Sequence, residues 1–109
     1  MHLAYRFWIE RDGKVFGEGP CRLLKSIEKT GSLHRGAMEL GISYRKAWRI
    51  LHDAEIRLGF PLTERQVGGV SGGGSKLTSG GRTMVERYES FTAEAKQKLQ
   101  EIFLKHFPE

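Results

Sequence analysis

Two helical patterns separated by three residues constrain this chain more than any other feature. Leu33, Ala37 and Leu40 recur at four- and three-residue intervals up to Gly41, and Ser43 then opens a second pattern whose apolar face is Tyr44, Ala47, Trp48, Leu51, Ala54 and Leu58. Ser32 and Ser43 suit the N-caps, because a serine oxygen accepts a hydrogen bond from a free N–H of the first turn. Gly41 and Gly59 suit the stops, because glycine enters the left-handed region without steric cost. With Ala37 small enough for a close helix crossing and Gly41 able to turn sharply, the two helices joined through Gly41-Ile42-Ser43 form a helix-turn-helix.

The flanking sequence completes an architecture around that pair. Tyr5, Phe7 and Ile9 alternate with Arg6, Trp8 and Glu10, then Asp12-Gly13, a dipeptide favoured in type I′ turns, precedes Val15 and Phe16, so residues 1–18 are expected to form a hairpin. Gly19-Pro20 supplies an N-cap and a proline at the first helical position for a helix carrying Leu23, Leu24 and Ile27 up to Thr30-Gly31. Residues 20–60 therefore hold three helices. Over 61–78, LTERQV and Lys76-Leu77-Thr78 are strand-like and flank a glycine-rich tip. From Arg82 to about Phe107, Met84, Tyr88, Phe91, Ala95, Leu99 and Ile102 are spaced by four, three, four, four and three, which predicts one helix about 38 Å long. A helix of that length overhangs so small a domain. Its distal part, with Phe91, Ala95, Leu99, Ile102 and Phe103, is expected to meet a second copy of the chain.

A chain of 109 residues has room for one domain. Its formal charge of +5 points to a polyanionic partner, nucleic acid first. Residues 1–31 hold six basic and four acidic side chains, 32–81 seven and four, and 82–109 five and five, so the excess lies on the body and not on the terminal helix. Arg45, Lys46 and Arg49 share the outer face of the helix that Ser43 opens. On a lone helix three cations usually mean solubility. Here they stand at the N-terminal turn of the second helix of a helix-turn-helix, where free N–H groups and the helix dipole also attract phosphate, and where the first turns reach base edges in the major groove. Arginine suits that place, since its planar fork donates twice to guanine O6 and N7.

Other chemistries find little support. Cys21 has no partner for an internal disulfide, which leaves the cytoplasm as the expected compartment. In the first turn of its helix the dipole is expected to lower its thiol pKa, as a redox sensor would use, but without a resolving partner packing is the expected role. His2, His34, His52 and His106 lack metal-ligand spacing, so no metal or other cofactor is expected. No basic and apolar leader opens the chain and no apolar run approaches the roughly 18 residues of a membrane span. No nucleophile, base and acid can be assembled, and an enzyme is not expected.

The glycine-rich stretch admits three readings. A flexible linker is the commonest use of such composition, but the strand and helix after it are too short for a second domain. A phosphate-binding loop would need Lys76 one place earlier and a Ser or Thr in place of Leu77. A wing lying on the sugar-phosphate backbone, with Arg65 and Lys76 on its strands, fits best. The expected fold is thus mainly α with a small β component: a winged helix-turn-helix with an N-terminal hairpin, a Gly-rich wing and a long C-terminal dimerisation helix.

The run GSLHRGAMELGISYRKAW, succeeded by GGVSGGGSKLTSGGRTMVERY, resembles the N-terminal DNA-binding domain of the ModE family of molybdate-responsive bacterial transcription regulators, distant relatives of the LysR type. The likeness covers residues 20–88, with both motifs in order. It implies that Ser43, Tyr44, Arg45, Lys46 and Arg49 face DNA, that Arg65, Lys76 and Thr78 serve the wing, and that Trp48 and Leu51 are core. Ser32 and Arg35 at the start of the preceding helix complete the DNA-facing set. Full-length members continue into oxyanion-binding domains, whereas this sequence stops at Glu109, so no oxyanion effector is expected to act on it. The expected partners are double-stranded DNA and a second copy of the chain, without membrane contact. The implied function is sequence-specific transcription regulation from a pseudo-palindromic operator; the alternative is a winged-helix protein-interaction module that does not bind DNA.

Overall fold

Caps and close backbone approaches decide where each element begins. The computed structural model describes residues 1–67 and 74–109, in the order β1 (Trp8–Glu10), β2 (Lys14–Gly17), α1 (Glu18–Thr30), α2 (Leu33–Leu40), α3 (Tyr44–Leu58), β3 (Thr63–Gln66), β4 (Gly74–Leu77) and α4 (Ser79–His106). The strands form two antiparallel pairs, β1 with β2 and β3 with β4. The glycine-rich wing tip, residues 68–73, lies outside the described residues.

The first hairpin departs from the expected two-residue turn. Ile9 pairs with Phe16 but Glu10 with Lys14, so Arg11, Asp12 and Gly13 make the connection and the register shifts between Ile9 and Glu10. Asp12 and Gly13 do take positive φ, 53° and 119°. The shift matters because it breaks the alternation of β2, whose Val15, Phe16 and Gly17 are all buried. Residues 1–7 lie outside the strand.

Helix α1 is capped two residues before the expected Gly19, at Gly17. Pro20 falls third in the helix, still within the first turn, where a missing N–H costs nothing. This helix is the hub, packing on α2, α3, α4, β2 and β4. Leu23, Leu24 and Ile27 sit at the centre with Phe16 and Leu62, all essentially without solvent contact. The α1–α2 crossing is closest at Gly36, where an added Cβ would lie 3.2 Å from Ile27 Cγ1, while the neighbouring Ala37 is also buried.

The expected caps of the helix-turn-helix are in place. Ser32 Oγ accepts from the Arg35 N–H at 3.0 Å and Ser43 Oγ from the Lys46 N–H at 3.0 Å. Gly41 closes α2 with φ 71° and Gly59 closes α3 with φ 85°. The apolar stripe of α3 is narrower than expected, however. Ala47, Leu51 and Ala54 are buried, but Tyr44 is 53% and Trp48 48% exposed, so Trp48 is not a core residue. The reason is tertiary: α1, α2 and β2 cover one side of α3, and the flank toward β3 and β4 is left as an open groove.

Helix α4 begins at Ser79, three residues earlier than expected, and ends at His106. Gly80 and Gly81 enter the helix because Thr78 caps it, its Oγ accepting from the Gly81 N–H at 2.9 Å, and because Gly81 lies against the Leu62 carbonyl with no room for a side chain. Val85 and Tyr88 root the helix in the core. Tyr88 packs edge-on against Phe16 and donates its hydroxyl to the Phe7 carbonyl at 2.9 Å. Past Tyr88 no residue of α4 is buried, and the helix extends the molecule to 56 Å against 28 and 23 Å in the other directions.

Cys21 is packed as expected, but its thiol departs from the expected lowering of pKa. Its side chain is buried, and burial, aided by the carboxylates of Glu89 and Glu18, pushes the thiol up to about 11. Desolvation of a thiolate outweighs the helix dipole here.

Candidate nucleic-acid interface

The N-terminal turn of α3 stands free because Ser43 starts the helix only two residues past Gly41. Ser43, Tyr44, Arg45, Lys46 and Arg49 are all exposed, while Ala47 and Leu51 on the other side anchor the helix in the core. Arg45 and Arg49 are one turn apart and point away from that anchor. Ser43 keeps the proton of its hydroxyl available for donation, since the cap uses its oxygen as an acceptor.

Some cations elsewhere on the surface are held in ion pairs. Lys25 pairs with Glu89, Lys29 with Glu39 at 3.2 Å, and Arg82 with Glu28 at 3.5 Å. Among the described residues no ion pair involves Arg35, Arg45, Lys46 or Arg49. Their donors therefore need not be taken from an acid before meeting an anion.

The wing strands close one side of the groove. Ser75 donates its N–H to the Gly31 carbonyl at 2.7 Å, which pins β4 to the junction between α1 and α2. The same carbonyl leaves no space for a side chain at Gly74. Arg65 on β3 is exposed and lines the groove with Ser32, Tyr44 and Trp48. Lys76 is exposed too but pairs with Glu64 across the strands at 3.5 Å. The Thr78 hydroxyl is engaged twice, donating to the Pro61 carbonyl at 2.7 Å and accepting from Gly81, so its evident work is to join β4 to α4. Trp48 is the residue whose place the sequence pattern mistook. Its spacing one turn after Tyr44 marks the edge of the stripe, and only the open groove makes that edge a surface.

The pattern of the bacterial regulatory helix-turn-helix proteins of the LysR family matches residues 21–82, from α1 through the start of α4. The chain belongs to that family. Among its curated relatives, the transcriptional regulator ModE of Yersinia pestis is 42% identical over 67 residues, covering 62% of this chain and 26% of that protein. The DNA-binding transcriptional dual regulator ModE of Escherichia coli K12 is 36% identical over 80 residues, 73% of this chain and 30% of its own. The molybdenum transport protein ModE of Azotobacter vinelandii is 33% identical over 90 residues, 83% and 33%. This LysR-family chain thus spans a third or less of those relatives' lengths, and the similarity is to their N-terminal DNA-binding domain.

The fold agrees. The CbnR DNA-binding domain in its crystal structure with DNA superposes with a TM-score of 0.60 at 19% identity, covering 82% of this chain and 98% of that one. The BenM DNA-binding domain with benA site 1 DNA gives 0.56 at 20% identity, over 76% and 88%. The LysR-family chain is accordingly a winged helix-turn-helix in fold, and the protein-interaction alternative is not favoured. No described helix is long and apolar enough to cross a membrane.

Proposed function

We propose that the chain binds a pseudo-palindromic duplex as a homodimer and regulates transcription in the cytoplasm, without catalysing a reaction. Helix α3 enters the major groove with Arg45 and Arg49 toward base edges, while Lys46, Ser43, Tyr44, Ser32 and Arg35 hold phosphates on either side. Arg65 and Lys76 set the wing strands on the neighbouring backbone. The Phe91, Ala95, Leu99, Ile102 and Phe103 stripe of α4 meets its counterpart and sets the half-site spacing.

The observation that carries this reading is the cluster of exposed Arg45, Lys46 and Arg49, in no ion pair among the described residues, on the first two turns of the second helix of a helix-turn-helix. Family membership and the likeness to ModE proteins support it. Selection from a random duplex library tests it. The expected result is an enriched two-fold-related sequence whose affinity falls steeply as salt rises, because phosphate contacts release counterions. Binding with no preferred sequence, or none at all, overturns it.

A further inference from the structure

An exposed ring pair on α3 has no part in the phosphate and guanine contacts of the neighbouring cations. Trp48 and His52 lie one turn apart and stack nearly parallel, 19° between planes with centroids 4.4 Å apart. Each ring restricts the other, so the pair presents a preformed flat surface and not two mobile side chains. Trp48 lies three residues past Arg45 and four past Tyr44, which puts it on the groove side of the arginines. Its indole lines the open groove between α3 and the wing strands, together with Ser32, Tyr44 and Arg65.

Such a surface has one natural counterpart in the major groove. Base edges there present hydrogen-bonding atoms and a single apolar group, the C5-methyl of thymine. Arg45 and Arg49 suit guanine, and neither can recognise a methyl group. The indole can, by covering apolar area that is otherwise in water.

Resting on the proposed DNA binding by α3, we infer that the stacked Trp48–His52 pair is a specificity element that selects a thymine through its C5-methyl, beside the base pairs read by the arginines. The pair adds discrimination at one position per half-site and leaves the phosphate contacts unchanged.

Deoxyuridine, which is thymidine without its C5-methyl, gives a direct test on the unaltered chain. The probe is a duplex that the chain itself enriches from a random library, with each thymine replaced singly by deoxyuridine. Affinity is expected to fall about fourfold at one thymine per half-site, the effect of one buried methyl. With Trp48→Ala that penalty should vanish, while Trp48→Phe should retain part of it. If every replacement is neutral for the unaltered chain, the inference is wrong whether or not the variants fold. It is also wrong if Trp48→Ala weakens all duplexes alike and the deoxyuridine penalty persists, since the ring then touches backbone. Failure to enrich any duplex would instead overturn DNA recognition itself.

Discussion

The Ser26 hydroxyl donates to the Gly36 carbonyl at 3.0 Å, from one buried residue to another across the crossing of α1 and α2. At the same crossing, an added Cβ at Gly36 would meet Ile27 at 3.2–3.3 Å, tighter than ordinary contact. The bond and the close approach together fix the angle at which α2 leaves α1, and through the turn at Gly41 the angle at which α3 stands on the body.

Gly36→Ala should destabilise the domain. The new Cβ would sit 3.3 Å from the Ile27 backbone nitrogen, which cannot swing aside as a side-chain end can. Overpacking of this kind costs about 1–3 kcal/mol, partly offset by the better helix propensity of alanine. Ser26→Ala should cost about 1 kcal/mol for the lost hydrogen bond. Urea denaturation measures both, and an unchanged midpoint for Gly36→Ala would show that the crossing has slack.

Arg49→Ala should weaken the preferred duplex by about 1–3 kcal/mol and relax preference at one position, if Arg49 reads a base. Lys46→Ala should weaken all duplexes alike and lower the salt slope by about one unit. Neither side chain is buried or ion-paired among the described residues, so the thermal midpoint should stay put. Fluorescence anisotropy at several salt concentrations separates the two roles. Equal behaviour of both variants would reject this division of labour.

Leu99→Glu should dissociate the dimer. The residue lies past Tyr88, where α4 has left its own core, on the stripe proposed to meet a second copy. A carboxylate held in that seam is unpaired and poorly solvated. Operator affinity should then fall by more than any single phosphate contact accounts for, because the two half-sites lose their effective concentration for each other. Sedimentation at micromolar concentration reads the outcome, and an unaltered chain that runs as a 12.4 kDa monomer would remove the premise.

Stability should decline between about pH 9 and 11. Burial holds the Cys21 thiol protonated up to about 11, and it also raises the Tyr88 phenol above its ordinary value. In both cases the folded state holds its proton more tightly than the unfolded chain does. Their contribution is therefore complete below the unfolded pKa and is lost as pH climbs through the folded one. Denaturation midpoints measured across that range should fall, and less so for Cys21→Ala. Cys21 should also react slowly with a thiol reagent at pH 8, and alkylation at the rate of a free cysteine would contradict its burial.

Local signals in the sequence were sufficient wherever a residue acts on its own helix. Ser32, Ser43, Gly41 and Gly59 cap or stop helices through bonds and dihedral angles that span only a turn, and all four appear as the sequence implies. The periodicities of α2, α3 and α4 were legible for the same reason, as was the placing of the cations on the outer face of α3. Gly80 and Gly81 were not legible: glycine pairs ordinarily break helices, and only the carbonyl of Leu62, distant in sequence, makes Gly81 a packing residue inside one. The same holds for Gly36, for the early start of α1 at Glu18, and for the thiol of Cys21, whose state is set by the residues that cover it. Trp48 marks the limit most clearly. Its spacing from Ala47 and Leu51 places it on the border of an apolar stripe, and a border residue is buried or exposed according to where the neighbouring elements stop. A winged helix-turn-helix whose second helix carries an exposed basic face is thus written in short-range patterns, each completed within a few turns of chain. The open Trp48 flank is a product of packing, because β4 is pinned to the α1–α2 junction through Gly31 and leaves that side of α3 uncovered.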